Sequence, residues 1–400
     1  MTRTPLSDPG APAPCDVCIV GLGPVGAALA AHLGQAGTRV VVLEREVAPY
    51  GLPRAAHLDG TALSVLDAIG VRPGGRDLDG FDLVDARGRL LLRGRPRGAP
   101  PPGFPAGRLI HQPALERALR QRLAETPGVT VRLGAEVVGL TPEASGGDPV
   151  GVALASGESI RASLVVGCDG AGSAVRRLVG VGMREGRFRQ RWLVVDVLLR
   201  EGDPRGGVGP LAADGRALPS RLLQIADPAA PATYVPFAGR RRRWEFRLPD
   251  GAPSEAAASP EAVRQRLARF VDPDAVEVER AAVYTFRSAI AERWRRGRVL
   301  LAGDAAHLMP PFLGQGLGAG LRDVAALSPL AVAVLGGAPP EALNAYERQR
   351  RPHVRATIRQ AVRLGRLVTL ARPLAAVRDA ALRAAHRVGP LHRALLDVRG

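Results

Sequence analysis

Three glycines, Gly21, Gly23 and Gly26, follow a short apolar run and open a helical pattern in the order G-x-G-x-x-G. That spacing suits the holding of a dinucleotide pyrophosphate. The first glycine permits a tight turn, the second lets the backbone approach the phosphates, and the third lets the helix pack close to its strand. The pyrophosphate then sits at the positive end of the helix that begins at Pro24 and Val25. Glu44 stands eighteen residues past Gly26, at the end of the next apolar run, where a carboxylate accepts the ribose hydroxyls of an adenosine. The same charge repels a 2′-phosphate, so the nucleotide expected is FAD or NAD rather than NADP. A second glycine-rich element, Gly314-Gln-Gly316-Leu317-Gly318-Ala-Gly320, follows Gly303-Asp304 and opens another helix. An aspartate at a strand end can hold the ribityl chain of a flavin. A helix N-terminus beneath the flavin edge can stabilise negative charge on the reduced ring. The two elements together favour FAD.

The elements that position these residues can be read outward from them. Asp16–Val20, Val25–Gly34 and Arg39–Leu43 make a strand, a helix and a strand within about thirty residues, the unit a dinucleotide fold requires. A helix is expected over Asp59–Ile69, capped by Asp59 or Thr61 and stopped by Gly70. Phe81–Arg93 reads as a hairpin turning at Asp85–Gly88, Pro96–Pro105 as a loop, and Pro113 as the start of a helix reaching Glu125. Val129–Leu140 and Val150–Ala155 look like strands of a meander, Leu164–Val166 like a buried strand, and Ala174–Val179 like a helix. From Gly186 to about Arg280 the pattern alternates, with strands expected at Trp192–Arg200, Arg221–Ala226, Thr233–Phe237 and Arg243–Leu248. Arg298–Ala302 returns to a buried strand, and the chain from Pro340 on is mostly helical.

These readings give an α/β fold: a discontinuous Rossmann-like FAD-binding domain over 15–183 and 281–365, and an inserted antiparallel-sheet substrate domain over 184–280. The hairpin at 81–97 is free to join the substrate domain. A helical C-terminal segment over 366–400 and a disordered tail over 1–14 complete the division.

Composition narrows the function classes. The chain has 400 residues, 55 basic and 38 acidic, with a formal net charge of +17. None of the basic residues is lysine, which excludes Schiff-base chemistry and the P-loop lysine. The arginines are dispersed and only 4% of residues are aromatic, so a small anionic partner suits the charge better than nucleic acid. The one dense run, Arg240 to Arg243, lies in a strand-like stretch before Trp244. Cys15, Cys18 and Cys168 are too few for a disulfide framework and fit a reducing cytoplasm. Cys15 and Cys18 have no second pair to complete a zinc site, so no metal is expected. No signal peptide is expected, and the apolar stretch Ala325–Ala338 is too short to span a bilayer. The sequence says nothing of the oligomeric state.

The stretch from Arg298 to Asp323, RVLLAGDAAHLMPPFLGQGLGAGLRD, resembles the para-hydroxybenzoate hydroxylase group of flavoprotein monooxygenases, and within it the 3-(3-hydroxyphenyl)propionate hydroxylase branch. Val165-Val-Gly-Cys-Asp169-Gly170 looks like the group's Asp-Gly motif, which touches both FAD and the nicotinamide cofactor. Pro53-Arg54-Ala55 resembles its post-strand arginine, and His111-Gln112-Pro113 a helix start whose glutamine contacts FAD. Trp192–Asp196, Tyr234–Pro236 and Arg243-Trp-Glu245 look like substrate-domain strands of the branch. The resemblance runs from about residue 15 to 360.

It implies a cofactor site of Gly21, Gly23, Pro24, Val25, Gly26, Glu44, Arg45, Arg54, Gln112, Asp169, Gly303, Asp304, Pro311, Gly316, Leu317 and Gly318. Pro311, Gly314 and Gly316 would border the reacting centre, and Tyr234, Pro311 and Phe312 the substrate. His307 reads as structural. Arg348, Arg350 and Arg351 read as a solvated or salt-bridged helix face.

The activity implied is hydroxylation of a small phenol-like, possibly anionic substrate with NADH or NADPH and O₂, through a flavin hydroperoxide. A related flavin oxygenase acting on a non-phenolic metabolite, or a non-catalytic flavin-binding protein, would carry the same motifs. The chain also departs from the pattern. Gly318 stands where the group often has Asn, Pro329 should kink its helix, and larger members of the branch carry a further C-terminal domain.

Overall fold

The computed structural model describes residues 15–49, 51, 55–78, 80–94, 99–141, 148–200 and 218–387. The tail at 1–14, Arg54 and the last residues of the expected C-terminal segment lie outside them. In chain order the first half carries β1 (Cys15–Val20), α1 (Pro24–Gln35), β2 (Val40–Glu44), β3 (His57–Asp59), α2 (Gly60–Asp67), β4 (Gly75–Asp77), β5 (Phe81–Val84), β6 (Leu90–Gly94) and β7 (Gly107–Ile110). There follow α3 (Gln112–Ala124), β8 (Val129–Leu133), β9 (Val137–Thr141), β10 (Val150–Leu154), β11 (Ser159–Gly167) and α4 (Ala174–Leu178). The second half carries β12 (Met183–Leu199), β13 (Leu222–Ile225), β14 (Ala232–Val235), β15 (Arg241–Arg247), α5 (Ser254–Ala258), α6 (Pro260–Leu267) and β16 (Val276–Ala291). It ends in β17 (Arg295–Arg296), β18 (Val299–Leu301), β19 (His307–Leu308), α7 (Gly316–Leu335), α8 (Asn344–Val368) and α9 (Leu374–Arg387).

The first sheet runs β17-β18-β11-β1-β2-β8, with β1 parallel to both β11 and β2. Val17, Cys18, Ile19, Val42, Leu164, Val165 and Val166 are fully buried, as strands covered on both faces require. The three cysteines are free and pack in this core. The expected unit of strand, helix and strand is present, and Asp59 caps α2 by accepting from the Ala62 amide at 3.0 Å. One pairing differs from expectation. β8 does not join the meander; it adds to β2 in parallel, and the meander is made of β9, β10 and β11.

The second sheet runs β19-β16-β12-β15-β14-β13-β5-β6 and includes the hairpin at 81–94. β16 is one strand across the expected division at 280/281 and runs to Ala291, and β19 adds to its edge. Two helices, α5 and α6, interrupt the region read as alternating strands. They cover one face of the sheet, over Leu193, Val195, Tyr234, Trp244 and Phe246. The other face turns toward the first unit. Val235 packs against Leu78 and Leu109 there, and Trp192 meets Phe312, which lies just before α7.

α7 is the central helix, packed against α1, α2 and α8. It is longer than the apolar stretch read from sequence and continues through Pro329. By length and composition its 20 residues could cross a membrane, yet most of it is buried inside the fold.

Candidate FAD and substrate site

The turn after β1 is shaped for close approach. Gly21 has φ +103°, and a β-carbon there would stand 2.6 Å from the Cys168 carbonyl oxygen. At Gly26 a β-carbon would run into the Gly21 carbonyl oxygen, so helix and turn can be this near only with glycine. Gly23 is different: it is the N-cap of α1, offers no side-chain cap, and a β-carbon there would meet nothing within 4 Å. The N-terminus of α1, behind Pro24, is thus open beside Gly23 and lacks a side-chain cap, an arrangement suited to an anion. Glu44 reaches back across this turn. Its carboxylate accepts from the Leu22 amide at 2.8 Å and from the Glu46 amide at 3.0 Å. Arg45 is exposed and pairs with Glu46 at 3.1 Å.

The second glycine-rich element meets the first at Val25. A β-carbon on Gly320 would lie 2.5 Å from a Val25 methyl, and one on Gly303 3.2 Å from it. The N-terminal halves of α1 and α7 are therefore in contact, and α7 also begins without a side-chain cap. Gly314, with φ +63°, ends the turn Pro311–Leu313 beside His57. Leu317 packs against the main core. At Gly318 a β-carbon would find Arg322 at 3.3 Å and both Ala62 and Asp59 at 3.7 Å. Asp304 is exposed.

Beneath this junction lies a network that the sequence did not reveal. Asp323 of α7 is fully buried; it accepts from the Gly303 amide at 3.0 Å, from His307 at 2.6 Å and from Arg350 at 2.9 Å. Burial alone would raise its carboxyl, but His307 and Arg350 outweigh that and hold it below the ordinary range. His307 is buried within this network. Arg350 is salt-bridged but not solvated, whereas Arg351 takes the carbonyls of Ala291 and Glu292.

Do these residues fit a dinucleotide? Asp169 accepts from the Val175 amide at 3.0 Å with one oxygen, while its other oxygen is buried and has no partner. An orphaned carboxylate oxygen, an open glycine N-cap and two uncapped helix ends in contact are what an absent polar ligand would complete. Gln112 holds its surroundings in place: it accepts from the Ala55 amide at 2.5 Å and donates to Glu116 at 2.7 Å.

The candidate substrate side is built by register. On the sheet face turned to the first unit, Val194, Glu245, Thr233 and Gln224 follow one another across β12, β15, β14 and β13. Thr233 donates to Gln224 at 3.1 Å, and Gln224 reaches the Phe312 carbonyl at 3.5 Å. One row away Arg243 grips Asp196 through two bonds of 2.7 and 3.2 Å, with Arg280 paired to the same carboxylate at 3.0 Å. Burial pushes the Glu245 carboxyl up to about 7, against the lowering pull of Arg243 and Arg280.

Two expected substrate residues need correction. Tyr234 points to the opposite face, packed 5.0 Å from Trp244 under α5 and α6, because side chains alternate along β14. The Phe312 ring is 4% exposed and meets Trp192 and Phe188 edge-on at 5.4 and 5.8 Å; its carbonyl, not its ring, meets the polar row. Among the described residues no group of three metal-binding side chains gathers. Arginines of the dense basic run have internal partners: Arg241 pairs with Glu279 and Arg242 donates to backbone carbonyls.

With this geometry in place, comparison with known proteins gives the class. Residues 14–361 match the model of the FAD binding domain family, and the chain belongs to it, among the FAD-dependent aromatic monooxygenases. It is 39% identical over 93% of its length to a probable NADH-specific resorcinol 4-hydroxylase of Rhodococcus jostii. It is 37% identical over 96% of its length to a 3-(3-hydroxy-phenyl)propionate/3-hydroxycinnamic acid hydroxylase of Mycobacterium avium. The chain spans 69% and 66% of these two proteins, about two thirds of their lengths. Among solved structures, p-nitrophenol 4-monooxygenase of Pseudomonas putida superposes with a TM-score of 0.78 at 26% identity, covering 96% of both chains.

Proposed function

We propose that this chain hydroxylates a small phenol with FAD, NADH and O₂. The observation that carries the reading is the contact of the two uncapped, glycine-built helix ends at Val25, Gly303 and Gly320, beside a polar row on the sheet face. A dinucleotide can lie along the first end while its ring reaches the second. Gly21, Gly23, Pro24, Val25, Gly26 and Glu44 would hold the adenosine and pyrophosphate; Asp169, Gly303 and Asp304 the central part; Pro311, Gly314, Gly316, Leu317 and Gly318 the ring edge. Arg45 would serve only at the rim, given its exposure. Residues 15–183 and 292–365 form the cofactor unit in this reading, and the inserted sheet with the 81–94 hairpin forms the substrate unit.

Bound FAD supplies the oxygen chemistry. The protein's share is to position the ring, exclude water and set the electrostatics. The aromatic wall of Trp192, Phe286, Phe188 and Phe312 excludes water on one side, with Trp192 stacked on Phe286 at 5.6 Å. NADH is preferred over NADPH because the Rhodococcus relative is named NADH-specific. The test is NADH oxidation and product analysis by the FAD-loaded protein with resorcinol, 3-(3-hydroxyphenyl)propionate and a ketone of similar size. Hydroxylated phenol is the expected product. Turnover of the ketone alone, or none with any phenol, refutes the reading.

A further inference from the structure

Glu245 has an unusual position for a strand carboxylate. Its face of the sheet looks toward the first unit, in register with Thr233 and Val194. Among the described residues its side chain has no hydrogen-bond or ion-pair partner, although Arg243 lies two residues away. The residue is half-buried and keeps water-accessible surface. Its row continues through Thr233 to Gln224, which reaches the Phe312 carbonyl in the turn Pro311–Leu313.

The geometry points to Glu245 as the group that takes the phenolic proton of the bound substrate, an inference that rests on the activity proposed above. The O–H bond of the phenol breaks, its proton and the Glu245 carboxylate form a carboxylic O–H, and the electron pair stays on the phenolate oxygen. Nothing is oxidised in this step, and the total charge is conserved.

The neighbours make the exchange feasible. Asp196 on β12 is paired to Arg243 on β15 and Arg280 on β16, and both guanidinium groups favour the ionised Glu245 carboxylate. The same positive field favours a phenolate beside Glu245 once Glu245 has taken the proton. In its own row, β14 and β13 present the neutral Thr233 and Gln224. Burial lowers the pKa of His111, so it adds little charge near neutrality. Enclosure also raises the Glu245 carboxyl to about 7, closer to a phenol than an ordinary carboxylate is.

The test uses the FAD-loaded protein and resorcinol. In the wild type, kcat for hydroxylated product falls on the acid side as Glu245 becomes protonated. Glu245→Gln keeps FAD and thermal stability, loses about 100-fold or more in kcat, and loses that acid limb. Glu245→Asp recovers part of the rate and keeps the limb. Wild-type kcat and an unchanged acid limb in Glu245→Gln overturn the assignment. Should Glu245→Gln fail to hold FAD, Glu245→Asp decides alone: a lowered kcat with a retained limb supports the assignment, and an unchanged kcat overturns it. A wild type inert toward every phenol would instead refute the proposed activity, and the Glu245 assignment with it.

Discussion

His307 Nε2 stands 2.6 Å from Asp323 Oδ2 in a fully buried pair. The same oxygen receives the Gly303 amide, so the strand end that carries Asp304 is tied to the middle of α7. Arg350 of α8 closes the network from the other side. Asp323→Ala should therefore leave a buried guanidinium without an anion, at a cost of about 3–5 kcal/mol. Thermal unfolding of the FAD-free protein measures this, and a loss under 1 kcal/mol would contradict the network's structural role.

The same group sets part of the acid limit. Its carboxyl is depressed below 3.8 in the folded protein despite burial, through His307 and Arg350. A depressed carboxyl stabilises the fold fully above the unfolded value and loses that contribution as pH falls through the folded one. In Asp323→Asn the fall of stability with acid below about pH 4 should be shallower than in the wild type. Denaturant unfolding at several acidic pH values reads this, and parallel pH curves for the two proteins would refute it.

The two glycines of the first turn should fail in different ways. Gly26→Ala collides with the Gly21 carbonyl, so the FAD-free protein should lose about 1–3 kcal/mol from overpacking. At Gly23 a β-carbon meets nothing within 4 Å, so Gly23→Val should cost little beyond a poorer N-cap, roughly 1 kcal/mol. Its side chain fills the space of the pyrophosphate, so FAD retention should be abolished. A fully yellow Gly23→Val protein would displace the nucleotide from this turn.

Much of this was legible because it is local. The three glycines, Glu44 and the Asp59 cap are each defined within a few residues of chain, and the structure places each on the expected element. What failed was non-local. Val129–Leu133 alternates in the same way whether it turns back in a meander or lies parallel to β2. The face of Tyr234 is a matter of parity set by pairing with Trp244, and the role of Glu245 depends on the same parity. Asp323 and Arg350 are 27 residues apart and meet only when α7 and α8 pack. One miss was avoidable: Ser259-Pro260-Glu261 is an N-cap followed by proline at the first helical position, and Ser259 does cap α6.

Asp304 is exposed at the strand end, next to the amide that Asp323 holds. If it bonds the ribityl chain, Asp304→Ala should weaken FAD by about 1.5–3 kcal/mol, the range for a charged hydrogen bond. That is roughly a 10- to 150-fold rise in the dissociation constant, read by flavin fluorescence. Unchanged FAD affinity would remove Asp304 from the site.

Phe312 separates packing from chemistry. Its ring fills a pocket among Phe188, Trp192 and Phe286, and Gly365 is kept bare because a β-carbon there would strike the ring. Phe312→Ala should open a cavity and destabilise the protein by about 3–5 kcal/mol. Its carbonyl, held by Gln224, would be freed with the turn Pro311–Leu313. Gln224→Leu removes that tether while the ring stays buried, so it should cost less stability but leave the turn loose beside the reacting ring. The expected signature is a higher KM for the phenol and more NADH oxidised per product formed, since a loose wall admits water. Equal coupling in Gln224→Leu and wild type would show that the tether does not serve catalysis, whatever it contributes to the fold.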